Sequence, residues 1–93
     1  MDLEKLKSDK VLDTRGLTTP LPVLKMMHAM ESFSTEKILE VWCSDPHFQD
    51  DFRELCETEN IHLLGRLDDP DGHVRYFIQK TINLTLDKKL KGV

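Results

Sequence analysis

The side chains in this sequence that could do chemistry are Cys43 and Cys56, the histidines His28, His47, His62 and His73, and a threonine set before two prolines. The histidines match no metal-ligand spacing. Cys43-x-x-x-His47 offers a pair of ligands where a closed site needs a full tetrahedral set. They read as scattered surface residues, and no metal is expected. Asp68, Asp69 and Asp71 resemble a cation loop only superficially, because the later ligands and the bidentate Glu of a calcium loop are missing. The sequence contains no phosphate loop, no nucleophile elbow and no convincing acid–base pair. No catalytic residue and no cofactor follows from it.

Thr19-Pro20-Leu21-Pro22 is the most unusual feature. Its order predicts a helix start, with Thr19 as N-cap, Pro20 as the first helical residue and Pro22 as the third. A helix start leaves its first N–H groups without intrahelical partners. The prolines delete some of these, so the N–H of Leu21 is expected to face the side chain of residue 19. They also stiffen the turn and hold residue 19 in place. A thiol at such a position would be driven towards thiolate by the dipole and the free N–H. A persulfide would be stabilised in the same way. Threonine offers only a hydroxyl, which does not ionise near neutrality and cannot carry a transferable sulfur.

The elements that must position this turn follow from periodicity. A short strand is expected from Lys10 to Asp13 or Thr14, then a loop in which Gly16 is free to adopt positive φ. A helix from Pro20 to Phe33 places Val23, Leu24, Met26, Met27, Met30 and Phe33 on one arc, with Lys25, His28, Glu31 and Ser32 opposite. The methionines read as core filling between helix and sheet. In the strand Lys37 to Cys43, Leu39, Val41 and Cys43 share one face; Ile38, Glu40 and Trp42 share the other. Asp45 then caps a second helix opening at Pro46, where Asp50 and Asp51 favour the positive end of the dipole. Phe48, Phe52, Leu55 and Cys56 form its apolar stripe.

Two further strands, Ile61 to Leu67 and His73 to Lys80, flank Asp68-Asp69-Pro70-Asp71-Gly72, which has hairpin-turn chemistry. The order is βαβαββ. Each helix has one apolar stripe, so the expected α/β fold is a two-layer sandwich, a mixed four-stranded sheet with both helices on one face. The face opposite would carry Ile38 and Trp42 or their alternates, and if apolar would be a docking surface. Residues 1–9 read as an N-terminal arm, 10–80 as the domain and 81–93 as an extension that turns basic at Lys88, Lys89 and Lys91.

The bulk numbers exclude several roles. With 93 residues, 39% hydrophobic and 32% charged, the chain has the composition of one small globular domain. Its net charge of −4, from 17 acidic and 13 basic side chains, argues against nucleic-acid binding, which leans on a basic stripe. No apolar run approaches the roughly 18 residues of a membrane span, and the N-terminus alternates charges in place of a signal core. The expected compartment is the cytoplasm, where Cys43 and Cys56 would be reduced thiols. Oligomeric state is not set by the sequence.

Leu12-Asp13-x-x-Gly16-Leu17-x-Thr19-Pro20-x-Pro22-Val23 resembles the signature of the TusA/SirA-like sulfur-carrier family, which reads D-x-x-G-x-x-C-P-x-P. Asp45-Pro46, Asp51, Cys56 and the strand Tyr76-Phe77-Ile78-Gln79-Lys80 extend the likeness over about residues 10 to 80. The resemblance implies the same βαβαββ fold. It also implies a motif cysteine that accepts sulfur as a persulfide and hands it to a partner protein. That cysteine maps to Thr19, so fold and surface carry over while the chemistry does not.

Several readings stay open. In the first, the chain acts by protein or ligand contact through Asp13, Gly16, Thr19, Pro20, Leu21, Pro22 and Asp45, with sulfur-relay proteins as the implied partners. In the second, it is a sulfur carrier using a displaced thiol, Cys43 before Cys56. In the third, it is a regulatory or structural subunit docked through the open sheet face. An unrelated role, or a cysteine exchanged by engineering, completes the set.

Overall fold

Side-chain alternation along the second strand sets the layers. Leu39, Val41 and Cys43 are fully buried against the helices, while Ile38 and Trp42 on the other face are half-buried. A computed structural model describes residues 6–55 and 60–81 of the chain. Cys56, nearly all of the C-terminal extension and part of the N-terminal arm lie outside the described residues.

The elements run β1 (Lys10–Asp13), α1 (Leu21–Glu31), β2 (Ile38–Cys43), α2 (Phe48–Leu55), β3 (Ile61–Asp68) and β4 (Val74–Lys80). The sheet order is β1-β2-β4-β3. β1 lies parallel to β2, whereas β4 is antiparallel to both β2 and β3. The expected mixed sheet with both helices on one face is what forms. The β3–β4 hairpin turns through Gly72 at φ 100, a conformation open to glycine without strain.

Val23, Met26 and Met30 of α1 meet Phe48 and Phe52 of α2 over Leu39, Val41, Cys43, Tyr76 and Ile78. Phe48 stacks on Tyr76 with ring centroids 4.3 Å apart. At the far end of α1, the Lys80 ammonium donates to the Met30 carbonyl at 3.0 Å, placing a cation at the negative end of the helix. The helix is shorter than its sequence pattern suggested, starting one residue later and ending at Glu31. Leu24, placed in the apolar arc by periodicity, is 45% exposed, as is Leu55 of α2. For Leu24 the reason is the sheet: β1, at its edge, has only four residues and leaves that flank of α1 uncovered.

The helix-free face carries Ile38 and Trp42 as expected, but also paired charges, so the condition for an apolar docking surface is not met. Register puts Glu40 opposite Phe77 and Trp42 opposite Arg75, so these four side chains share it. Glu40, though buried, accepts hydrogen bonds from Ser8 Oγ at 2.9 Å and Trp42 Nε1 at 2.6 Å. Arg75 lies 3.7 Å from Glu40 and 3.0 Å from Asp69. His73, read from sequence as a surface residue, is buried beside Trp42 and held between the Asp69 and Asp71 carboxylates.

The burial contrast on α1 is directly testable. Met26→Ala is expected to cost about 2–5 kcal/mol in urea denaturation, the range for emptying a packed core site. Leu24→Ala should stay within about 0.5 kcal/mol, as for exposed positions. Equal losses would show that α1 packs through a different face.

Candidate functional site

Because β1 and β2 are parallel, their C-terminal ends share one edge of the sheet, and the turns that follow them meet there. Thr14, fully buried, closes β1 onto β2: its N–H and its hydroxyl both donate to the Trp42 carbonyl, at 2.8 and 2.6 Å. Gly16 follows at φ 87, and its N–H donates to Ser44 Oγ at 3.0 Å. The first turn is thereby fastened to the second before residue 19 is reached.

Thr19 is exposed, and it is gripped twice, once from the connection before α2 and once from α2 itself. Its N–H donates to one carboxylate oxygen of Asp45, and its hydroxyl donates to the Asp51 carboxylate. The other Asp45 oxygen accepts the His47 N–H at 2.8 Å, the cap-like bond expected at the approach to α2. This bond, and after it the one from Thr19, hold the Asp45 carboxyl below the usual carboxylate range. The helix itself opens at Phe48, later than the expected Pro46.

This arrangement corrects the local reading of the turn. Thr19 is not the N-cap of α1. Pro20 occupies that position without a side-chain cap bond, and the Thr19–Pro20 peptide is cis. The Leu21 N–H donates to the Thr18 carbonyl at 2.9 Å and not towards residue 19. Charged acceptors across the site take the donors of Thr19, because hydrogen bonds to ionised groups are stronger than neutral ones. Residue 19 therefore faces two carboxylates, where sequence reasoning placed a helix start awaiting an anion.

The residues singled out from sequence are only partly brought together. Gly16, Thr19, Pro20, Leu21 and Asp45 line the joined turns, and Pro22 is buried beneath them. Asp13 is elsewhere, engaged through both oxygens with Arg15, whose guanidinium lies 4.9 Å from the Trp42 ring centre. That contact pulls the Asp13 carboxyl down to about 2. Cys43 is fully buried under the turn, its thiol donating to the Asp45 carbonyl at 3.6 Å, and burial pushes the thiol up. Sequence reasoning missed Thr14 and Ser44 as fasteners, and saw Asp51 as a dipole partner and a family match but not as a partner of Thr19. Its bond to Thr19 spans 32 residues, beyond any local signal.

Residues 10–80 match the family described as Sulfurtransferase TusA. The chain belongs to this family. It is 35% identical over 75 residues to YrkI of Bacillus subtilis (strain 168), a protein named for sulfur carriage, covering 81% of this chain and 99% of that one. A protein of Aquifex aeolicus named in the same way is 30% identical over 78 residues; the match covers 84% of this chain but only 39% of the longer relative. The sulfur carrier protein TusA of Allochromatium vinosum is 27% identical over 73 residues, across 78% of this chain and 95% of its own length. Membership of the TusA family implies protein partners in a sulfur relay. Among the described residues, no helix is long and apolar enough to cross a membrane.

Two measurements check the electrostatics. Asp13 has a native pKa below its unfolded value of about 3.9, so its contribution to stability is present above that value and lost as pH falls through about 2. A carboxyl NMR titration should show Asp13 with this low midpoint, and Arg15→Gln should return it to the ordinary range. At residue 19, a nearby carboxylate raises a thiol's pKa by about 1–3 units, whereas an exposed helix end offsets about 0.3–1 kcal/mol. Thr19→Cys is therefore expected to react with iodoacetamide at pH 7 no faster than free cysteine, and to speed up when Asp51→Asn is added. A fast single variant would show that the helix dipole dominates.

Proposed function

We propose that this member of the TusA family works by contact in a sulfur relay, presenting the Thr19 turn to partner proteins without carrying sulfur on that residue. The observation that supports the reading is the Thr19 hydroxyl, exposed and donated to the Asp51 carboxylate. A hydroxyl held in this way keeps a lone pair free to accept a hydrogen bond from a partner. It supplies no atom to which sulfur can be attached and then transferred. The full burial of Cys43 and its raised pKa speak against a displaced carrier in the native state, since the thiolate is the form that attacks a persulfide. The paired charges of the helix-free face likewise give little support to apolar docking there.

In this reading the functional surface is the joined pair of turns after β1 and β2. Gly16 and Ser44 fix their separation, Asp45 and Asp51 fix residue 19, and Leu21 stands beside them 47% exposed. Peptide mass spectrometry after incubation of the native chain with glutathione persulfide tests it. Unmodified Cys43 and Cys56 are expected. A sulfur-mass adduct on either would overturn the non-carrier role.

A further inference from the structure

The groove beside this turn deepens that reading and rests on it. We propose that the cleft between α1 and the outer side of β1 receives an acidic, apolar segment of the relay partner. β1 is an edge strand of the described sheet, paired to β2 on one side. Lys10 and Leu12 lie on its helix-facing side, in register with Leu39 and Val41. Because β1 is short, α1 overhangs it and leaves a groove of about 590 Å³, bounded by Leu12, Leu21 and Leu24 with Lys10, Lys25 and His28 around it.

Charge selects the occupant. The ionisable groups lining the groove are Lys10, Lys25 and His28, with no carboxylate among them, on a chain whose net charge is −4. The Glu31 carboxylate, 3.8 Å from His28 Nδ1, is not part of the lining. A second copy offering the same face would set lysine against lysine. A partner segment that presents acidic and large apolar side chains in turn along one face would place its apolar groups on Leu21 and Leu24, which are 47% and 45% exposed. Its carboxylates would meet Lys10 and Lys25. An edge strand also offers backbone hydrogen bonds to an extended segment laid along it. Leu21 belongs to the Thr19 turn, so a segment seated here reaches the proposed site.

Fluorescence anisotropy with three labelled synthetic peptides of equal length tests this: a Glu/Leu peptide repeating Glu-Ser-Leu-Ser, a Lys/Leu peptide repeating Lys-Ser-Leu-Ser, and a Glu/Ser peptide repeating Glu-Ser-Ser-Ser, so that the named pair shares one strand face. The Glu/Leu peptide is expected to bind best, and added salt should weaken it. Binding should fall roughly tenfold or more in the Lys10→Glu/Lys25→Glu variant and in Leu24→Ser, all exposed positions. Equal binding of the Lys/Leu or Glu/Ser peptide, or no change in either variant, would overturn the assignment. So would a dimer in sedimentation that Leu24→Ser abolishes, since the groove would then hold a second copy. Sulfur uptake by the same samples would sink the non-carrier reading while leaving the groove intact, so the two failures are distinguishable.

Discussion

Asp45, in the connection before α2, and Asp51, in the first turn of that helix, reach to the turn before α1 and take both donors of Thr19. Two crossover connections that are far apart in sequence become one surface through these bonds. The carboxylates are favoured there for separate reasons. Asp51 sits in the first turn of α2, where the helix dipole stabilises negative charge. Asp45 gains the His47 and Thr19 N–H groups, which hold it ionised. Thr14 and Ser44 prepare the geometry by fastening the ends of β1 and β2 below.

This constraint bears on what the family's scaffold can do in this chain. A residue gripped by two anions is a poor place for another anion, because like charges at hydrogen-bonding distance oppose ionisation. The same grip suits a hydroxyl, which donates without changing charge. Acidic groups around Thr19 and basic groups around the neighbouring groove then make a surface with two signs of charge a short distance apart. Such polarity sets the orientation of an approaching partner more than it adds affinity.

The layers of this fold were legible because they rest on short-range pattern. Leu39, Val41 and Cys43 alternate, Met26 and Met30 recur at helical spacing, and the Asp68-to-Gly72 run has turn chemistry. What escaped depended on tertiary context. Leu24 belongs to the apolar arc by angle, yet whether it is covered depends on the length of β1. His73 looked like surface until the hairpin folded Asp69 and Asp71 around it. The cap assignment of Thr19 failed for a similar reason: capping preferences weigh neighbours in sequence, while the acceptors that won come from α2 and the connection before it. Gly16 was read correctly because positive φ is a property of the residue itself.

The most direct test is a double-mutant cycle between Thr19→Val and Asp51→Asn, followed by urea denaturation. A coupling free energy of about 1 kcal/mol is expected for a hydrogen bond to a charged acceptor at a partly exposed site. Additive losses would contradict the account, because they would mean that α2 does not hold residue 19.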